Sequence, residues 1–282
     1  MGVFFAYRPQ TKGHLTMQKV ISKRLSPYVR SKRVSKKGTD LTIVVTGSIA
    51  MKKSIKDFGR DLRKGGVGIF YYAGHGLQVN GRNYLVPIGA DFNTVFEIEY
   101  EAVAAGRILG QMEDAGNGMN IIILDACRNI PYSRGFRSSE KGLAKMDATV
   151  GSILAYSTAP GSVAADGTGR NGLYTSQLLK HISTPGLKIE DIFKQVRIGV
   201  SKESRKKQIP WESSSLMGDF YFNPKRGITV TERPLIDTQS QIEEMQQNKK
   251  SKKKTADDLE SKELRYARSL LNMGEKSKAR KS

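Results

Sequence analysis

Between residues 41 and 222, short apolar runs alternate with segments in which apolar residues recur at helical spacing. Four runs have the length of strands: LTIVV (41–45), VGIFYYA (67–73), IIILDA (121–126) and SILAYST (152–158). VGIFYYA is apolar at almost every position, which is typical of a central parallel strand covered on both faces. The alternation predicts an α/β fold with helices on the faces of a mostly parallel sheet.

Amphipathic segments predict the helices. One contains Met51, Ile55, Phe58 and Leu62 among Lys, Arg and Asp residues, and a Gly-Gly pair at 65–66 ends it. Further helices are predicted over 101–114, near 173–182, over 189–200 and over 259–273. Asn80-Gly81 is a strong turn signal between two short extended pieces, so the stretch after residue 76 is predicted to form a hairpin.

The net charge of +20 is concentrated at the two ends of the chain. Residues 1–40 carry +9, residues 41–222 carry +5 and residues 223–282 carry +6. Such basic ends are usually solvated tails, but they could also hold nucleic acid or an anionic membrane weakly and without sequence specificity. No aromatic residue interrupts the lysine run at 249–254, which weakens a model based on base stacking.

The composition excludes several classes of protein. A single cysteine rules out an internal disulfide, and the three histidines form no cluster with it at zinc-ligand spacing. No apolar stretch approaches the length of a membrane span, and the start of the chain does not have the pattern of a secretory signal. We therefore expect a soluble, cytoplasmic protein with no cofactor and no metal requirement.

The candidate chemistry lies at the ends of two predicted strands. Cys127 follows IIILDA, and His75 follows VGIFYYA 52 residues earlier. A thiol becomes a strong nucleophile when a nearby imidazole takes its proton. The backbone N–H groups of Gly76 and Cys127 are candidate donors to the resulting oxyanion. A cysteine at a strand end is more often a buried small apolar residue, so the pair alone does not establish catalysis.

Six motifs point further: FYYAGHG, GRNYLVP, LDACRN, AYSTAPG, GLYTSQLL and QIPWESSSL. In their order and separation the chain resembles the caspase-like cysteine peptidases, and most closely bacterial metacaspase-like or orthocaspase domains. The resemblance covers about Leu41 to Phe222. It implies a three-layer α/β/α sandwich, with Cys127 as nucleophile, His75 as general base, and the Gly76 and Cys127 amides as the oxyanion hole.

Two departures from animal caspases bear on specificity. Those enzymes cut after Asp and have Gln two residues before the nucleophile, where this chain has Asp125. An arginine that helps them to hold the acidic substrate is replaced here, in an ungapped alignment, by Asp166. Carboxylates at both places favour a basic side chain before the scissile bond, as in metacaspases. Alternatively, Asp125 caps a neighbouring loop.

The sequence suggests three regions: a basic segment over 1–40, a catalytic domain over 41–222, and a basic polar linker over 223–282. Within the domain, a larger part ends near residue 137 and a smaller part spans 149–222. The loop at 130–148 offers four sites of self-cleavage if specificity is for basic residues: Arg134, Arg137, Lys141 and Lys145. A solvated loop is the simpler interpretation of its composition.

Residues 1–40 lack the family's first strand and the Asn-Asp-Ala motif that follows it. The run from Val3 to Tyr7 could supply a divergent strand, and a shifted reading frame or a truncation would also explain the mismatch. Three hypotheses remain: an endopeptidase cutting after Arg or Lys, a catalytically weak caspase-like binding module, and a basic nucleic-acid-associated protein.

Overall fold

The computed structural model describes residues 2–7, 31–36, 39–44, 47–126, 142–162 and 171–225. The chain divides into two compact units, Met1–Arg233 and Pro234–Ser282, and the described residues all belong to the first. The basic C-terminal region beyond residue 225, including the helix predicted at 259–273, lies outside the described residues. Among the described helices, none is long and apolar enough to cross a membrane.

Ten strands are described. They are β1 (Gly2–Tyr7), β2 (Ser31–Lys36), β3 (Thr39–Val44), β4 (Val67–Ala73), β5 (Gly76–Val79), β6 (Arg82–Leu85), β7 (Val103–Ala104), β8 (Asn120–Asp125), β9 (Ser152–Tyr156) and β10 (Trp211–Ser214). Seven of them form one sheet in the order β10-β9-β8-β4-β1-β3-β2, and β5, β6 and β7 form a second sheet. The four strands predicted from apolar runs are all present, as β3, β4, β8 and β9.

The large sheet is mixed. β4, β8 and β9 are mutually parallel, and β3 shares their direction because both β3 and β4 pair antiparallel with β1. β2 and β10 also run against this direction. Four of the seven strands therefore point the same way, and we call the edge at which β4, β8 and β9 end the carboxyl edge. Ligands bind beyond this edge in open α/β sheets.

Five helices are described: α1 (Ser48–Leu62), α2 (Val95–Glu101), α3 (Gly106–Ala115), α4 (Leu173–His181) and α5 (Ile189–Glu203). All but α2, which packs on the small sheet, cover the faces of the large one. One core joins α4 and α5 to alternate strand residues such as Tyr71 and Ile123. A second core joins α1 and α3 to the intervening residues, such as Tyr72 and Leu124. Side chains alternate between the two faces of a strand, so the continuous apolar runs fill both cores. The arrangement confirms the α/β/α sandwich.

The helix predicted over 101–114 begins later, at Gly106, because Val103 and Ala104 pair with β6 instead. The preceding helix α2 was not predicted. Its start is a capping box in which the Glu97 N–H donates to Thr94 Oγ1 and the Glu97 carboxylate accepts from the Thr94 N–H. The sequence signal for it, Thr followed three residues later by Glu, is present at 94–97.

β1 fills the place between β3 and β4, but it runs antiparallel to both. Gly2 pairs with Tyr72 near the carboxyl edge, and Tyr7 pairs with Val67 at the opposite edge. The run from Val3 to Tyr7 therefore supplies the divergent strand, which satisfies the backbone groups of β3 and β4 along their length. Its direction was not anticipated from the sequence.

Candidate active site

The two candidate dyad residues follow neighbouring parallel strands in the chain. Ala73, the last residue of β4, is in register with Asp125, the last residue of β8. Beyond the ladder, the Gly74 N–H donates to the Asp125 carbonyl at 3.1 Å, so the two chains leave the sheet side by side. His75 lies two residues after Ala73. Cys127 lies two residues after Asp125 in the sequence and is itself outside the described residues.

Two hydrogen bonds fix the backbone carbonyl of His75. Its carbonyl accepts a hydrogen bond from the Val86 N–H at 2.9 Å and another from the Tyr72 hydroxyl at 2.7 Å. Tyr72 is buried, and this burial raises the pKa of its hydroxyl, which also lies 2.9 Å from the Val86 carbonyl. The hydroxyl therefore stays protonated and can donate over the whole neutral range. His75 itself is half-buried at the carboxyl edge.

Gly76 is closely packed on its Cα. A Cβ placed there would lie 3.1 Å from Ala126 Cβ and 3.1 Å from Leu143 Cδ2. The bond from Val86 to His75 makes the next pair, Gly76 with Leu85, a pair of the non-hydrogen-bonded kind. The Gly76 N–H is therefore directed away from β6, as an oxyanion donor would be.

The side chain of Asp125 lies on the other face of the sheet, against the start of α4. Its Oδ2 accepts a hydrogen bond from Thr175 Oγ1 at 2.5 Å, and the Tyr71 hydroxyl lies 2.6 Å from the same Thr175 oxygen. A Cβ placed at Gly172 would lie 3.3 Å from Asp125 Oδ2. This position suits both a pocket carboxylate and the alternative of a structural cap, here on the first turn of a helix.

A segment from the second half of the chain is attached to the hairpin that follows His75. Asn83 is buried, and its side-chain amide exchanges two hydrogen bonds of 2.7 Å with the backbone of Ala144. Leu143 is 2 % exposed and packs beneath Gly76. The Met146 N–H donates to the Tyr156 hydroxyl at 3.1 Å. These contacts attach residues 142–146 to the hairpin and to β9, and they place Leu143 against the candidate oxyanion donor.

The structure describes only two of the remaining residues considered from the sequence, Lys145 and His181. Asp166, His14, Arg134, Arg137 and Lys141 lie outside the described residues. Lys145 is exposed and forms an ion pair of 2.8 Å with Asp147. His181 is the last residue of α4, and burial followed by the charge of Lys180 lowers its pKa. It lies about 12 Å along the helix from the end that contacts Asp125, which suits it poorly to the dyad.

Several residues around the site were not singled out from the sequence: Tyr71, Tyr72, Asn83 and Thr175. Both tyrosines belong to a strand that looks apolar throughout, and Asn83 resembles a turn residue. Their polar atoms acquire a function only through partners 3 to 104 residues away along the chain. The one available signal was that all four lie inside the quoted motifs.

Within the ranges that the structure describes, no group of three or more His, Cys, Asp or Glu side chains is placed to hold a metal ion.

Comparison with known proteins identifies relatives. The chain is 28 % identical over 114 residues to the human mucosa-associated lymphoid tissue lymphoma translocation protein 1, and equally to its mouse homologue. Each alignment covers 40 % of this chain and 13 % of the relative, so the chain spans only a small part of the relatives' length. Residues 33–221 match the caspase domain family, which is roughly two thirds of the chain. The protein therefore belongs to the caspase domain family of peptidases.

Proposed function

We propose that this protein is a cysteine endopeptidase that cleaves after Arg or Lys, with Cys127 as nucleophile and His75 as general base. The observation that carries the proposal is the parallel register of β4 and β8. Adjacent strands lie about 4.8 Å apart, and both candidates follow a register pair, Ala73 and Asp125, by two residues. This spacing is close enough for a hydrogen bond between a thiol and an imidazole once the side chains are oriented.

The chemistry is acyl transfer. His75 takes the proton of the Cys127 thiol, and the thiolate attacks the carbonyl carbon of the scissile peptide bond. The Gly76 and Cys127 N–H groups stabilise the oxyanion while the tetrahedral intermediate exists. The C–N bond then breaks as His75 protonates the leaving amine, and water hydrolyses the thioester to release the acid and restore the thiol.

Specificity for a basic residue rests on Asp125. Its carboxylate is half-buried beside the carboxyl edge, two residues before the nucleophile, where it can pair with a guanidinium or an ammonium group. Asp166 is proposed as a second carboxylate of the same pocket on the sequence alone. The substrate class is therefore a protein or peptide with Arg or Lys before the scissile bond.

Hydrolysis of fluorogenic peptides tests this function. We expect release of the fluorophore from a peptide ending in Arg, much weaker release from one ending in Asp, and no release by Cys127→Ala or His75→Ala. Circular dichroism must show that all three proteins are folded. A folded wild type that cleaves no better than Cys127→Ala would overturn the enzyme proposal, and preference for the Asp peptide would overturn the proposed specificity.

The direction of β1 favours a second candidate, a caspase-like binding module with weak or no catalysis. In metacaspases an Asp that follows the first strand also lines the basic-specific pocket. Here the chain leaves β1 at Tyr7, which pairs with Val67 at the edge away from His75. The pocket would then keep Asp125 without that partner, and low affinity for substrate would be the result. Equal peptide binding by wild type and Cys127→Ala, without turnover by either, would support this candidate.

A further inference from the structure

A chain of three polar groups lies beneath the proposed specificity pocket. It links Tyr71 of β4, Thr175 of α4 and Asp125 at the end of β8, with oxygen separations of 2.6 and 2.5 Å. Tyr71 and Thr175 are 2 % and 4 % exposed, so water does not compete for either hydroxyl. Three elements that are distant in sequence are therefore joined through the Thr175 hydroxyl, and only Thr175 bonds directly to the carboxylate.

The direction of each hydrogen bond follows from the chemistry of the groups. An ionised carboxylate has no proton to give, so Thr175 must donate to Asp125 Oδ2. A hydroxyl has one proton, and Thr175 has used it, so Tyr71 must be the donor to Thr175. Tyr71 therefore donates to Thr175, and Thr175 donates to Asp125. The bond to Oδ2 limits the rotation of the carboxylate.

Both donors are neutral, so they orient the carboxylate without cancelling its charge. Burial is the largest cause that raises the pKa of Tyr71, and the negative charge of Asp125 is the second. The same two causes, in the same order, raise the pKa of Tyr174. Both tyrosines thus remain protonated beside the carboxylate. The first turn of α4 also approaches the carboxylate closely at Gly172, where the positive end of the helix dipole attracts a negative charge.

We infer that Tyr71 and Thr175 are positioning residues that hold the Asp125 carboxylate correctly turned to pair with the basic side chain of the substrate. The inference rests on the proposed function. A guanidinium pairs best with a carboxylate in one plane, so a carboxylate that rotates freely would lose part of its discrimination. A group that only stabilises the fold would not affect the choice between substrates.

The test compares two peptides that differ only before the scissile bond: one has Arg, and the other has citrulline, which has nearly the same shape without the charge. The measured quantity is the ratio of kcat/KM for the two. We expect Thr175→Val to lower the ratio roughly tenfold, the size expected when a hydrogen bond to a charged group is lost. Thr175→Ser should restore it, and Tyr71→Phe should lower it about threefold, because Thr175 can still donate.

Three comparisons make the test decisive. Tyr84→Phe is the matched control, since Tyr84 is also buried, in the apolar cluster of the small sheet, and its hydroxyl bonds to the exposed Glu99. Asp125→Asn gives the Arg-to-citrulline ratio of kcat/KM for an enzyme without the pocket carboxylate. A wild type without preference for Arg defeats the proposed function itself. Two results would leave the proposed function standing and defeat this inference. In the first, Asp125→Asn loses the preference for Arg while Tyr71→Phe and Thr175→Val keep it. In the second, the Tyr71 and Thr175 variants lower kcat/KM by the same factor for both peptides. Should Thr175→Val not fold, Tyr71→Phe decides the same question.

Discussion

At the scale of single residues, two consecutive tyrosines of β4 support the two halves of the candidate site. Side chains alternate along a strand, so Tyr71 points into the α4–α5 core and reaches Thr175, while Tyr72 points into the other core and reaches His75. His75 and Gly76 could be proposed as site residues from residue type and position, and their roles stay a prediction. The tyrosines could not, because a tyrosine in an apolar run looks like any other core residue until the acceptor of its hydroxyl is known.

Tyr72→Phe should slow catalysis more than it weakens substrate binding. The variant removes the hydroxyl that lies 2.7 Å from the His75 carbonyl but keeps the ring in the core. We expect kcat to fall severalfold with KM nearly constant, and the free energy of unfolding to fall by about 1 kcal/mol. Steady-state kinetics and urea unfolding measure the two effects. Loss of stability with unchanged kcat would show that this hydroxyl does not position the loop of His75.

Gly76→Ala should damage both packing and activity. The added methyl group would press on Ala126 and Leu143, each 3.1 Å away, so we expect a loss of about 1–3 kcal/mol in stability and a lower kcat. Gly110→Ala is the matched control, because open space surrounds Gly110 within α3 and alanine favours the helix. Thermal unfolding should therefore shift in opposite directions for the two variants. An undiminished kcat in Gly76→Ala would argue against tight packing at the oxyanion donor.

At the scale of elements, the strands of the large sheet could be predicted because they are buried on both faces. The runs that became β4 and β8 are apolar regardless of what they pair with. β7 and the late start of α3 could not be predicted, because they depend on the pairing of Val103 with Leu85 in a separate hairpin. The direction of β1 is likewise set by its neighbours, since a six-residue strand carries no signal of its own orientation.

The attachment of residues 142–146 to the hairpin bears on one predicted cleavage site, Lys145. Lys145 is exposed, but Ala144 before it is bonded to Asn83 and Met146 after it is bonded to Tyr156. A protease must pull a segment into extended form to cut it, so the bond after Lys145 should resist cleavage in the native protein. Self-processing, if it occurs, should spare this site.

Asn83→Ala should make that bond cleavable. The variant removes both hydrogen bonds to Ala144, and trypsin under native conditions should then cut after Lys145 at a rate at least tenfold above wild type. Mass spectrometry of the fragments identifies the cut. Asn117→Ala is a suitable control, since its amide bonds to Gly66 and Met119 at the far end of the strands. Equal protection in Asn83→Ala and wild type would show that Asn83 does not hold the segment.

At the scale of the whole molecule, buried tyrosines link both cores to pH. Tyr71 lies in one core and Tyr72 and Tyr156 lie in the other, and burial is the largest cause that raises the pKa of each hydroxyl. The pKa of Tyr156 rises from 10.0 to about 12. The folded protein thus binds these protons more tightly than the unfolded chain does. Their contribution to stability is complete below pH 10 and is lost as the pH rises through the folded pKa.

The free energy of unfolding should therefore fall between pH 10 and pH 12, and Tyr156 alone accounts for about 2–3 kcal/mol of that fall, from the distance between its two pKa values. Lysines lose their charge over the same range, which reduces the repulsion within a chain of net charge +20 and works in the opposite sense. Tyr156→Phe separates the two effects because it keeps every lysine.

Urea unfolding followed by circular dichroism should show a shallower decline for the variant, although its stability at pH 8 is lower without the bond to Met146. Identical slopes for the two proteins, or tyrosinate absorbance that develops fully below pH 11 in a folded chain, would contradict the assignment of alkaline unfolding to these buried hydroxyls.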